Sequence, residues 1–250
     1  MKNLQSKLYA EFDDDSAPIV DFMKWLRAAY DLPTSPHILD IGCGPGRLLS
    51  EYAQLGWRVT GLEPDADFVE EAKKAAQKFG AINVRQGGFA DIDEREVYDL
   101  IAAVNDPFMY LLDVAERVDA LRRMYQALCP GGVMFLEMRN FLWKLWDYKD
   151  KVEETSVVDG KTVQHIMVHK LDFHNAIWIL EDEYVIDGKI QGESEVSKTH
   201  KVAMITPPEL FYFVQNVGFE NLRTYNSYQA RDDEPLNSSA MLISAQKPVN

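Results

Sequence analysis

Cysteine is nearly absent: Cys43 and Cys129 are the only two in 250 residues, and they stand in unrelated contexts. That excludes a disulfide framework, and no paired-ligand spacing suggests a metal site. Long apolar runs are missing as well. No stretch approaches the roughly 20 apolar residues that cross a bilayer, and the N-terminus has no basic start followed by an apolar segment. Positive charge is scarce, with 26 Lys and Arg against 40 Asp and Glu and a formal net charge of −14. Such a surface repels phosphate backbones, and no run of Lys or Arg provides a local basic patch, so nucleic acid is not an expected partner. There is no internal repeat and no low-complexity tract. These absences lead to the expectation of a cytoplasmic protein with no membrane partner. Its oligomeric state is not legible.

What is present centres on His37-Ile38-Leu39-Asp40-Ile41-Gly42-Cys43-Gly44-Pro45-Gly46-Arg47-Leu48. An apolar strand stops at three glycines and a helical pattern begins. Glycine permits φ > 0 and leaves room for a ligand against the backbone, and the N–H groups at a helix start favour a polar or anionic group. The dinucleotide fingerprint is Gly-x-Gly-x-x-Gly, whereas here the loop is Gly42-x-Gly44-x-Gly46 with Arg47 at the third dinucleotide glycine position. Upstream, Ile19 to Tyr30 has helical spacing, with Asp15 or Ser16 as cap and Pro18 in the first turn. Downstream, strand and helix alternate with short connections as far as residue 137, which predicts a doubly wound parallel sheet with its loops along one edge. Pro130-Gly131-Gly132 reads as a break before a strand over Val133 to Glu137. Glu63, at the tip of the second strand, is placed to accept hydrogen bonds from ribose hydroxyls.

The ordered set Leu39-Asp40-Ile41-Gly42-Cys43-Gly44-Pro45-Gly46, Val59-Thr60-Gly61-Leu62-Glu63, Gln86-Gly87-Gly88-Phe89-Ala90-Asp91, Tyr98-Asp99-Leu100-Ile101 and Leu128-Cys129-Pro130-Gly131-Gly132 resembles the successive motifs of class I S-adenosylmethionine-dependent methyltransferases. The resemblance implies an α/β, Rossmann-like, doubly wound seven-stranded sheet, mostly parallel with the last strand antiparallel. It also implies a small antiparallel insertion after strand five, as in small-molecule members of the family. The cofactor would be S-adenosylmethionine, leaving S-adenosylhomocysteine, and the reaction would be methyl transfer to a nitrogen or oxygen of a small metabolite. By the same resemblance Asp40, Gly42, Cys43, Gly44 and Gly46 hold the methionine end, Glu63 with Pro64 the ribose, and Gly88 with Phe89 the adenine. Asn105 completes the cofactor side. From the residues alone, Tyr9 and Phe12 either fold an N-terminal arm over the cofactor or are a chance pair of aromatics in a partly ordered arm. Gly88 departs from the family, which usually has an acidic residue there, leaving backbone near Phe89, or Asp91, to meet the adenine. The alternatives are a non-catalytic or regulatory protein that binds the same cofactor and, against Arg47 and the closing hairpin, an NAD-dependent dehydrogenase.

After Arg139 the pattern changes. Segments over Thr162 to Leu171, Ala176 to Val185 and Ile190 to Met204 alternate, with Asp159-Gly160 and Asp187-Gly188 as hairpin turns. Residues 150–205 are therefore expected to form an inserted antiparallel lid, and 1–149 with 206–250 the cofactor-binding core. Thr206-Pro207-Pro208 opens a helix, and strands over Glu220 to Tyr225 and Ser239 to Gln246 close the chain. Candidates for acceptor contact are Asn105, Asp106, Phe108 and Tyr110 after strand four, and Glu137, Arg139 and Asn140 after strand five. Asp106, Tyr110, Arg139 and His200 carry the catalytic assignments, His200 because its ordinary pKa suits proton removal near neutrality. His165 and His169 share a strand face but are too far apart to share an ion easily, and no metal is expected. Trp143, Trp146, Tyr148, Phe173 and Trp178 build either an acceptor pocket or the lid's own small core.

Overall fold

A computed structural model describes residues 16–158, 160–190 and 199–249. Tyr9 and Phe12 lie outside the described residues. Two units are present, Ser16–Lys144 with Ile205–Asn250, and the segment Leu145–Met204.

The larger unit is built on a seven-stranded sheet. Helix α1 (Ala17–Ala29) leads into β1 (His37–Ile41), α2 (Arg47–Gln54), β2 (Arg58–Glu63), α3 (Ala66–Ala76) and β3 (Ile82–Gln86). Then come β4 (Tyr98–Ala103), α4 (Val114–Ala127), β5 (Leu128–Arg139) and the single turn α5 (Phe141–Lys144). The strand order, with the closing strands β11 (Glu220–Tyr225) and β12 (Ala240–Gln246), is β11-β12-β5-β4-β1-β2-β3. Strands β1 to β5 pair in parallel, while β12 runs antiparallel to both β5 and β11. The chain leaves β1 toward β2 and β3, then returns to build β4 and β5 on the other side. A crevice opens at such a reversal, beyond the carboxyl ends of the strands, and the glycine loop follows β1 at that point.

Local sequence explains the elements. The middle strands are buried along nearly their whole length, Leu100 to Ala103 and Val133 to Leu136 being inaccessible, as strands covered on both faces must be. Helix α1 buries Ile19, Phe22, Met23 and Leu26, spaced three and four apart to form one stripe. Asp65 caps α3 by accepting the N–H groups of Asp67 and Phe68. Helix α6 (Pro207–Val217) has prolines in its first turn and stops at Gly218 with φ +110°. Ser16 and Thr206 occupy the N-cap positions of α1 and α6, but neither side chain caps by hydrogen bonding.

One expected boundary is corrected. Pro130-Gly131-Gly132 does not break the chain before a strand: β5 runs through it from Leu128, with a wide irregularity where its pairing to β4 jumps from Leu128 to Val133. The end of the chain stitches this bulge, since the Gly131 N–H donates to the Lys247 carbonyl at 3.0 Å and the Lys247 N–H to the Gly132 carbonyl at 2.9 Å.

The second unit is an antiparallel sheet of β6 (Lys151–Val158), β7 (Lys161–Asp172), β8 (Ile177–Ile186), β9 (Lys189–Ile190) and β10 (Thr199–Ala203). Its order is β10-β8-β7-β6, with β9 on β8. The turn at Asp187-Gly188 has φ of +48° and +74°, as expected of a tight hairpin; Asp159 lies outside the described residues. In the separator after β7, Asp172 Oδ1 accepts the His174 and Asn175 N–H groups, both at 3.1 Å.

Candidate functional site

The glycine loop is fixed by β2. The Gly42 and Cys43 N–H groups both donate to the Leu62 carbonyl, at 2.7 and 3.2 Å. Gly42 has φ +72°, and a Cβ there would stand 2.8 Å from Cβ and Cγ of Pro107. Gly46 has φ +88°, and a Cβ on it would meet Ala72 of α3 at 3.0 Å. Gly44, at φ +53°, faces open space instead. Two of the three glycines therefore serve the packing of the loop, and Gly44 keeps a clear approach to its backbone. Cys43 packs beside Gly61, and burial pushes its thiol far above the usual range, which makes it an inert wall.

Two carboxylates lie at this edge. Glu63 is buried; its Oε2 accepts the Gly44 N–H and its Oε1 the Asp65 N–H, each at 2.9 Å. Burial raises its pKa and the two backbone donors oppose the rise. Asp40 is 2% exposed. Burial pushes its pKa up to about 7, the charge of Glu63 adds to the rise, and Arg47 opposes it. Two buried acids of this kind favour a cationic ligand over an anionic one. Pro64 is exposed, and its carbonyl accepts from Gln86 Nε2 at 3.0 Å.

At the tip of β3, the Gly88 N–H donates to Asp91 Oδ2 at 2.8 Å, and the space beside Gly88 is open. The Phe89 ring is buried edge-on against Phe108, with centroids 5.6 Å apart. After β4, Asn105 and Asp106 have φ of +65° and +70°, and the turn Pro107–Tyr110 follows. Phe108 is buried and Tyr110 is exposed. Asp106 Oδ1 accepts the Arg139 N–H at 2.8 Å and Oδ2 pairs with Arg139 Nε at 2.7 Å. Burial raises the Asp106 pKa, chiefly against the Arg139 charge. The structure thus brings Asp106 and Arg139 together as partners of each other. Their pairing ties β4 to β5.

Glu137, expected at the acceptor, turns out to be engaged within the protein: its Oε2 accepts the Asn105 N–H at 3.0 Å and the Tyr228 hydroxyl at 2.5 Å. Sequence reasoning missed Tyr228, which stands 91 residues away from Glu137 in a polar loop. Asn140 is buried, and among the described residues its Oδ1 has no hydrogen-bond partner.

His200 lies in the second unit. Its Nε2 is 3.9 Å from Asp182 Oδ2, while His165 Nε2 is 2.8 Å from Asp182 Oδ1 and its ring stacks on Tyr184 at 4.3 Å. Asp182 was not anticipated, because only the strand register sets it beside two histidines: His165 faces Tyr184 across β7 and β8, and His200 faces Leu180 across β10 and β8. The aromatics divide. Trp178 is buried and packs on Tyr148 at 5.9 Å and on His169 at 5.2 Å, as a small core would. Trp143, Trp146 and Phe173 are exposed, Trp146 at 93%. Among the described residues no cluster of His, Cys, Asp or Glu fits a metal ion, and no helix is long and apolar enough to cross a membrane.

Residues 38–132 match the family model described as a methyltransferase domain. The chain is similar to a ubiquinone biosynthesis O-methyltransferase of Nitrobacter winogradskyi, 36% identical over 108 residues, which are 43% of this chain and 40% of that one. The counterpart in a Bradyrhizobium species is 34% identical over 43% of this chain and 41% of the other. The chain thus spans about 40% of the length of the curated relatives it matches. An S-adenosylmethionine-dependent methyltransferase structure from Clostridium acetobutylicum superposes with a TM-score of 0.80 at 14% identity, covering 98% of each chain. A structure of an amino pentose methyltransferase of Micromonospora echinaspora with bound S-adenosylmethionine gives 0.77 at 20% identity, over 98% of this chain and 96% of that one. Residues 38–132 are thus similar to a methyltransferase domain, and the fold is the one seen in these S-adenosylmethionine-dependent methyltransferase structures.

Proposed function

We propose that the protein binds S-adenosylmethionine and transfers its methyl group to a nitrogen or oxygen of a small metabolite. The observation that carries this reading is the pair of buried acids, Asp40 and Glu63, beside a glycine loop whose Gly44 backbone is open. A carboxylate at Asp40 below the glycine loop disfavours a pyrophosphate and favours a cationic group, while Glu63 suits a ribose. The cofactor supplies the reactivity, a methyl group on a positively charged sulfur.

The chain's own residues bind, orient and exclude water. Asp40, with the loop from Gly42 to Gly46, holds the cationic end. Glu63 keeps lone pairs on both oxygens for ribose hydroxyls while its two backbone bonds fix its orientation. Gly88 and Phe89 border the adenine position. Asn105 and Asp106 flank the transferred group, with Arg139 holding the Asp106 carboxylate in place. Alignment of this kind reaches effective molarities of about 10⁵ M and more, enough to supply much of the rate and make a base optional. We assign the choice of acceptor to the inserted sheet of residues 150–205. Of the proteins named above, one is an O-methyltransferase of ubiquinone biosynthesis and another an amino pentose methyltransferase, which supports an oxygen or nitrogen acceptor on a small molecule.

Isothermal titration with S-adenosylmethionine and S-adenosylhomocysteine tests the reading, and failure of both to bind at millimolar concentration overturns it. In the same assay Glu63→Ala is expected to weaken binding by about 1–3 kcal/mol, the worth of charged hydrogen bonds to the ribose plus the loosened Gly44. An unchanged dissociation constant removes Glu63 from the site.

A further inference from the structure

Asn105 and Asp106 are consecutive non-glycine residues in the left-handed region, with φ of +65° and +70°. Side chains crowd the backbone there. Asn and Asp tolerate it better than most, but two in succession persist only where the surroundings hold them. At this tip the holding comes from β5. Glu137 Oε2 takes the Asn105 N–H at 3.0 Å, and the Glu137 carbonyl takes the Asp106 N–H at 3.3 Å. The same Oε2 takes the Tyr228 hydroxyl at 2.5 Å.

Tyr228 is itself immobilised. Its ring meets Phe22 edge-on at 5.6 Å and Phe135 at 6.3 Å, and its carbonyl accepts Arg231 Nη1 at 2.7 Å. Burial and the neighbouring Glu137 charge push its phenol far above the ordinary value, so it stays a donor at any working pH. On the other side of the tip, Pro107 fills the space that a Cβ on Gly42 would need. The conformation of the tip and the fit of the glycine loop are therefore one packing problem.

We propose that Tyr228 and Glu137 are positioning residues: together they hold the Asn105-Asp106 tip in its left-handed form against the glycine loop, and so set the alignment of the transfer site. The proposal rests on the methyltransferase reading for its consequence, but not for its geometry. Neither residue has to touch cofactor or acceptor in this role. Both act through the backbone of the tip.

Three substitutions in the full chain test it: Tyr228→Phe, which keeps the ring and removes the donor; Glu137→Leu, which removes the acceptor; and Glu137→Gln, whose amide oxygen can accept the same two bonds. Hydrogen exchange is measured on peptides covering residues 104–110, together with thermal unfolding and steady-state kinetics. Tyr228→Phe is expected to speed exchange at Asn105 and Asp106 about tenfold, with the β1–β2 peptides unchanged. Its kcat should fall about tenfold while the acceptor KM stays within about twofold, the pattern of a lost orienting contact. Glu137→Leu should cost roughly 100-fold in kcat, and Glu137→Gln should recover to within about threefold of the original enzyme.

Unchanged exchange at the tip in both Tyr228→Phe and Glu137→Leu overturns the proposal. So does a Glu137→Gln variant as impaired as Glu137→Leu, or a loss of kcat that follows global unfolding instead of tip exchange. If the unsubstituted protein binds neither S-adenosylmethionine nor S-adenosylhomocysteine, the methyltransferase reading fails on its own. The exchange measurement still decides whether the pair holds the tip.

Discussion

Phe22→Ala is expected to lower the unfolding free energy by about 3–5 kcal/mol, the range for deleting a buried aromatic ring from a core that cannot close up. Phe22 is inaccessible to solvent and stands at the middle of an aromatic group. Its centroid is 5.2 Å from Trp25, 5.3 Å from Phe135, 5.2 Å from Tyr225 and 5.6 Å from Tyr228, and the Arg231 guanidinium lies 5.6 Å from it. These neighbours come from α1, β5, β11 and the loop after β11, so four separate segments lose a common contact when the ring goes. Such rigid surroundings relax only partly, which puts the expected cost at the upper end. In thermal unfolding the change should appear as a drop of about 10 °C for a chain of this size. Chemical denaturation measures the same quantity independently. A cost below about 1 kcal/mol would mean that the group repacks around the space. The substitution also frees one face of Tyr228, so faster exchange at Asn105 should accompany it.

Phe22 illustrates what the sequence makes legible. Its place on the buried stripe of α1 follows from spacing alone, and the glycine loop and the closing hairpin were legible for a similar local reason. A residue that must adopt φ > 0, or face one side of a helix, shows that need in its own identity and its near neighbours. The doubly wound parallel sheet followed because short alternating connections leave few topologies. Glu137 was different. Its spacing marked it as an acceptor contact at the end of a strand, and only the fold brings Tyr228 to it from far along the chain. The positive φ values at Asn105 and Asp106 had a signal, two residues tolerant of that region in succession, but nothing local demanded it. Pro130-Gly131-Gly132 misled because a break and a bulge call for the same residues. The two outcomes separate only when Lys247 arrives to pair with the bulge. The aromatics after Arg139 divide because apolar character does not say which rings find partners: Trp178 did, and Trp146 remains in solvent.

Affinity for S-adenosylmethionine is expected to rise about tenfold for each pH unit between about pH 5 and 7 and to level off above that. The cause is Asp40, whose pKa is pushed up to about 7, first by burial and then by Glu63, with Arg47 opposing. An unfolded chain would titrate the same group near about 3.9. The folded value is the higher one, so without ligand this group adds stability that is complete below about pH 4 and is lost as pH rises through about 7. A bound cation reverses the preference, because it favours the carboxylate and lowers the pKa. Binding below pH 7 must then expel a proton, and each unit of acidity costs the complex a factor of about ten. Glu63 is shifted in the same direction by its own burial and contributes with the same sign, so the two acids need separating. Asp40→Asn does this, since the amide keeps the size and loses the titration. It should bind more weakly than the original protein at pH 8 and show a shallower slope, set by Glu63 alone. Calorimetric titrations from pH 5 to 8, repeated in two buffers of different ionisation enthalpy, give both the slope and the number of protons released. A profile in the original protein as flat as that of Asp40→Asn would remove Asp40 from the cationic end of the site.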